Sequence, residues 1–268
     1  MRGYLLVEEP GPWGPGAVPA TRLGGELTDR LRQVAAERGV RLLLVRRPSA
    51  AGRDPDGPRR LFFADVRRGR SAVLTRTARL EELAAAAAAD TGWSVHRDPL
   101  LLVCTHGRKD WCCALRGRPV VDALAALVPE QVWECSHLGG DRFAATVLTL
   151  PDGAVHGRVQ PQDAPALVAA VGSGRLLPSL LRGRSCDAMV VQAAEGHVRL
   201  LDDLDELEAV RPRAAVRGED GRWVVDLQVR GAPVRVHLRE GTAPAHQLTC
   251  SAASAQRART WELERVER

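Results

Sequence analysis

The segment PLLLVCTH, residues 99–106, constrains the fold more than any other stretch. Apolar residues run without alternation from Leu100 to Cys104, the pattern of a strand covered on both faces. It predicts a buried parallel strand and therefore an α/β core. A second apolar run, QVWECS at 131–136, predicts a neighbouring strand. Between them lie a loop with Arg108, Lys109 and Asp110 and a helix predicted from about Pro119 to Val128. Pro119 then falls in the first turn, where a missing N–H costs nothing.

The turn SHLGGDR follows, and then strands predicted at 143–150 and 154–159, joined by Pro151-Asp152-Gly153 as a hairpin. A helix over 161–171 stops at Gly172. The resulting order, β-α-β-β-β-α, is the core order of a thioredoxin-like layer and defines a domain over 98–174. Residues 1–97 read as an α+β region: a strand at 3–8, the turn PGPWGPG and a helix from Leu23 to Ala36. A strand at 40–47, a polar loop at 48–60, strands at 61–66 and 71–76 and a helix at 80–89 complete it. Nothing in that region suggests chemistry. Residues 175–268 read as a small α+β unit, with a helix near 187–209 and strands at 223–229 and 234–238. No internal repeat is visible.

Charge and composition narrow the function classes. The net charge of +5 rests almost wholly on arginine, Lys109 being the one lysine, and the arginines are spread along the chain. Aromatic residues are only 4%, too few to supply the stacking platforms of a nucleic-acid binder. A mildly basic surface suits acidic protein partners instead. No run is apolar and long enough to span a membrane. The start, MRGYLLVEEPGPWG, has no signal-peptide centre, so a cytoplasmic location is expected. Six cysteines in a reducing compartment point to metal or redox chemistry rather than disulfides.

Four of those cysteines, Cys104, Cys112, Cys113 and Cys135, fall close together, with His106 and His137 in the same loops. If the strands ending near 103 and 135 are parallel neighbours, both loops leave the same sheet edge, where α/β folds place ligands. Cys104 and Cys113 then approach from the first loop and His137 from the second. Cys135 ends an apolar strand and reads as core. Cys186 and Cys250 stand apart and read as structural or incidental. Adjacent side chains diverge, so one of Cys112 and Cys113 is a bystander. His106 and His156 read as non-ligands. The residues alone define a metal or redox site.

The segments CTHGRKDWCCALRGRPV and WECSHLGGDRFAATVLTLPDGAVHGRV resemble the two signature segments of the sucrase/ferredoxin-like family, related to the thioredoxin-like [2Fe–2S] ferredoxins. GPWG and LVRRP at 44–48 fit bacterial members. The resemblance implies a [2Fe–2S] cluster with ligands at Cys104 and Cys113. Counting back from Pro151 puts His137 and Asp141 at the other two ligand positions. Fungal relatives carry His-x-x-x-His there, so Asp141 departs from the family pattern, and oxygen is a harder donor than sulfur or imidazole. Three arrangements remain: Asp141 binds iron, Cys135 or Cys112 takes its place, or Asp141 supports His137 from outside the set. The register favours the first.

The implied function is one-electron transfer by a carrier rather than catalysis, with a reductase or acceptor protein as partner. Arg108, Lys109 and Arg142 flank the loops and are placed to steer it. A neutral imidazole in place of a thiolate raises the potential, and its second nitrogen couples protons to electrons. The alternative is a redox-inactive zinc site on the same donors. A thiol–disulfide oxidoreductase ranks behind both, because the chain lacks Cys-x-x-Cys at a helix start.

Overall fold

Strand β1 (Gly3–Glu8) and strand β2 (Arg41–Arg46) are parallel neighbours linked by helix α1 (Gly25–Glu37) in the computed structural model, which describes residues 1–16, 23–49, 52–250 and 252–268. Both strands are apolar through their central residues, and α1 buries Leu31, Val34 and Ala35 against one face of them. Two antiparallel strands, β3 (Arg59–Asp65) and β4 (Ala72–Ala78), continue the sheet beyond β1, and the short helix α2 (Leu83–Ala88) follows. The expected loop at 48–60 gives its last two residues to β3, and residues 50 and 51 lie outside the described set. Strand β5 (Ser94–His96) closes that edge by pairing with β4.

The next segment repeats this order. Strand β6 (Leu100–Cys104), helix α3 (Trp111–Ala125) and strand β7 (Val132–Cys135) form a second parallel β-α-β unit. Antiparallel strands β8 (Thr146–Leu150) and β9 (Ala154–Gly157) lie beyond β6, joined through Pro151-Asp152-Gly153 as expected, and helix α4 (Ala164–Gly172) follows. Pairing runs β2-β1-β3-β4 in the first unit and β7-β6-β8-β9 in the second. The two halves therefore share one topology, a repeat that the sequence does not reveal. They meet through β2 and β7, antiparallel, with Val45 opposite Cys135 and Arg46 opposite Glu134.

One ten-stranded sheet results, crossing the 97/98 boundary read from the sequence. It ends on β10 (Leu181–Arg184), which pairs with β9 and lies past residue 174. Helices α1 to α4 cover one face through two apolar clusters, while Leu6, Val45, Phe62, Leu102, Trp133 and Cys135 share a cluster on the other. Helix α5 (Met189–Leu201) packs on a separate four-stranded sheet: β11 (Val210–Arg217), β12 (Arg222–Val229), β13 (Ala232–Thr242) and β14 (Arg259–Glu267). The expected helix near 187–209 is thus shorter. No described helix is long and apolar enough to cross a membrane.

Helix α3 departs from the expected course. It starts at Trp111, eight residues before Pro119, which sits inside the helix. Proline in a helix interior leaves the carbonyl four residues back without its donor. That residue is Leu115, 60% exposed, so the freed carbonyl is on the solvent side. Cys112 and Cys113 consequently lie in the first helical turn rather than in a loop.

Candidate metal centre

Cys104 and Cys135 stand opposite each other at the ends of β6 and β7, so the two following loops leave the sheet edge together. This is the geometry the parallel reading requires. Asp110 precedes the first turn of α3, and its carbonyl accepts a hydrogen bond from the Cys113 N–H at 3.1 Å. Gly117 brings that helix onto β6: a Cβ there would lie 2.4 Å from the Cys104 carbonyl oxygen. No other residue allows so close an approach, which sets Cys113 beside Cys104.

The second loop turns on two successive left-handed glycines, Gly139 at φ 89° and Gly140 at φ 71°, a conformation that favours glycine. They return the chain so that Asp141 Oδ1 lies 3.0 Å from His137 Nε2. From the first repeat, Arg41 donates to the carbonyls of His137 at 2.5 Å and Leu138 at 2.8 Å. The Leu44 N–H donates to the Ser136 hydroxyl. The β2 edge thereby fixes the loop that carries His137. Glu134 ties the same corner together through Arg46, Arg53 and the Thr105 hydroxyl.

Cys104, Cys113 and His137 are buried, with one donor atom from each within 4.8 Å of the others. Asp141 reaches this trio through His137 and forms a second trio with His137 and Asp110. Of the four residues expected at the site, three converge directly, and Asp141 stands at their edge with its Oδ1 4.0 Å from the Cys113 sulfur. His106 turns away: its Nε2 bonds the Gly14 carbonyl at 2.7 Å. Cys135 is wholly buried in the core, and burial pushes its thiol well up. His156 lies inside β9, where burial lowers it to about 4.

The electrostatics favour the thiolate form at one sulfur. A hydrogen bond from the Cys113 thiol holds Cys104 well below the usual thiol range against the cost of burial. The His137 ring and the N–H groups of His106 and Leu138 add to that hold. Cys113, donating to Cys104, is pushed up correspondingly, and burial adds to it. Burial and a hydrogen bond with Asp110 raise Asp141 to about 7, opposed by the charge of His137. Burial works against protonating His137, but Cys104 and Asp141 outweigh it and raise its pKa. His137 Nδ1 is buried without a hydrogen-bond partner among the described residues, a polar atom of the kind a metal satisfies.

Two further residues belong to this corner. Asp110 reads from the sequence only as part of a loop, and Cys250 as structural or incidental; both have a donor atom within 4.8 Å of the Cys112 sulfur. The Asp-x-Cys-Cys spacing at a helix start is the one sequence signal that marks Asp110. Nothing local marks Cys250.

Fold and site together define a mixed α/β protein with a buried cysteine–histidine centre at a sheet edge. The sequence model of the Sucrase/ferredoxin-like family matches residues 24–183, and the chain belongs to that family. It is similar to Altered inheritance of mitochondria protein 32 of Eremothecium gossypii, 29% identical over 147 residues, which cover 49% of this chain and 47% of that protein. The chain thus matches about half the length of this curated relative. A thioredoxin-like [2Fe–2S] ferredoxin from Aquifex aeolicus aligns over 34% of this chain and 94% of its own, with 17% identity and a TM-score of 0.31.

Proposed function

We propose that this protein is a one-electron carrier in which Cys104, Cys113, His137 and Asp141 hold a [2Fe–2S] cluster. The observation that carries this reading is the Cys104 sulfur, buried at a strand end among the Cys113 thiol, the His137 ring and two backbone N–H groups. Two thiols and an imidazole with an unpartnered nitrogen form the donor chemistry that iron–sulfur clusters take. The cluster would supply a one-electron couple tuned by ligand identity, hydrogen bonds to sulfur and exposure.

The protein's own part follows from its geometry. The N–H groups of His106 and Leu138 draw negative charge from the Cys104 sulfur, which favours the reduced state. The His137 side chain is 11% exposed and that of Asp141 2%, so His137 is the better route for an electron to leave. Beside Asp141, Arg142, Arg158 and Arg182 gather over the Phe143 ring. Burial first, then their mutual repulsion, lowers the pKa of Arg142 and Arg182. An acidic reductase or acceptor protein fits this face.

A second reading has its own support. Donor atoms within 4.8 Å of one another also suit a single tetrahedral Zn²⁺, with Zn–S near 2.3 Å and Zn–N about 2.0–2.1 Å. Electron paramagnetic resonance with a potentiometric titration decides between the two. A reversible one-electron reduction giving a paramagnetic reduced state is expected. A protein with bound zinc and no redox couple contradicts the carrier reading.

A further inference from the structure

A second set of side chains meets at the same end of α3. The sulfurs of Cys112 and Cys250 and one carboxylate oxygen of Asp110 lie within 4.8 Å of one another. Cys112 is the second residue of α3 and is buried; Cys250 is half-buried in the segment between β13 and β14. The bonds Ala243 to Ala258 and His246 to Gln256, and those from the Gln247 amide to the carbonyls of Cys250 and Ala252, are internal to that segment. A cavity of about 230 Å³ separates the segment from the centre, lined by Cys112, Arg116, Asp141, Arg142, Gln247 and Cys250. The C-terminal sheet therefore sends one thiol back to the wall of the proposed site.

We propose that Cys112 and Cys250 form a reversible disulfide that fastens the C-terminal segment over the Asp141 side of the centre. Neither sulfur belongs to the proposed cluster ligands, so the pair stands whichever metal those ligands hold. Bonding requires the sulfurs to close to about 2.05 Å, a movement that side-chain rotation and a small shift of an exposed segment supply. The oxidant is a small-molecule disulfide, and the exchange balances. The Cys250 thiolate, the more accessible of the two, attacks one sulfur of the disulfide and expels a thiolate. Cys112 then attacks the Cys250 sulfur of this mixed disulfide and expels the second. Two protein thiols and one disulfide become one protein disulfide and two small thiols, which carry off the two protons.

Peptide mapping of the purified full chain after treatment with oxidised glutathione tests the pair. Trypsin releases Cys112 in DWCCALR and Cys250 in EGTAPAHQLTCSAASAQR. The expected product is these two peptides linked, lighter by two hydrogens than their sum, with fragment ions assigning the bridge to Cys112. The link persists in Cys113→Ser, disappears in Cys112→Ser and Cys250→Ser, and is undone by dithiothreitol. Because the bridge is assigned on the wild-type chain, a variant that fails to fold leaves the reading intact. Glutathione on Cys250 with Cys112 still reduced overturns the proposal. So does a bridge assigned to Cys113, or stoichiometric zinc that is lost in Cys250→Ser.

Discussion

Asp141 Oδ1 sits 3.0 Å from His137 Nε2, held there by the two left-handed glycines between them. The resemblance read from the sequence puts this carboxylate at the position of the second histidine in the His-x-x-x-His pattern of fungal relatives. As the proposed fourth donor, it would make the two positions unequal in hardness. Asp141→Ala is expected to lose the visible absorption of the cluster, whereas Asp141→His keeps it, at a higher potential. An unchanged spectrum in Asp141→Ala would remove the carboxylate from the ligands.

Gly117 governs the approach of α3 to β6. A methyl group in its place meets the Cys104 carbonyl oxygen at 2.4 Å, and backbone must move to relieve it. Gly117→Ala is expected to push the first turn of α3 outward and to lower metal occupancy several-fold, measured as metal per chain. Full occupancy in this variant would show that the Cys104–Cys113 approach does not depend on the helix–strand contact.

His156 gives stability a pH dependence of known sign. Burial lowers its folded-state pKa to about 4 from 6.5, so the unfolded chain takes up the proton first as pH falls. The contribution of the neutral ring is complete above pH 6.5 and is lost between 6.5 and 4, about 3 kcal/mol in all. His156→Leu is expected to flatten that part of the profile in urea unfolding at several pH values. Parallel profiles for the two proteins would contradict the assignment.

Glu195 is fully buried between two cations. It accepts from Arg199 at 2.9 Å and from Arg68 at 2.5 Å, joining α5 to the loop after β3. Its removal leaves Arg68 with Asp187 and the Val210 carbonyl, but leaves the fully buried Arg199 with backbone carbonyls of Leu204, Glu206 and Leu207 and no countercharge, a loss of about 3–5 kcal/mol for a broken buried pair. Glu195→Ala is expected to lower Tm by many degrees in calorimetry. A change within one degree would mean that water replaces the carboxylate.

Much of this structure was legible in the sequence. The apolar runs at 3–8 and 100–104 needed no tertiary information, because a strand covered on both faces cannot alternate. Pro151-Asp152-Gly153 marked its own hairpin. Cys104, Cys113 and His137 converge as the parallel reading expects, because the ends of adjacent parallel strands share an edge. The start of α3 is not legible, because Pro119 reads as a first-turn residue, and only the packing of Gly117 on Cys104 shows the helix already under way. The repeat leaves no mark in the sequence, because the shared topology carries little shared sequence. Contacts such as Val45 with Cys135, or Cys112 with Cys250, join residues far apart in the chain and leave no local pattern.

The metal itself tests the central claim most directly. Full-length protein, produced with an intact iron–sulfur assembly system and purified without oxygen, is expected to be red-brown. It should carry about two irons and two acid-labile sulfides per chain, the composition of a [2Fe–2S] centre. A colourless protein with one zinc per chain would contradict it.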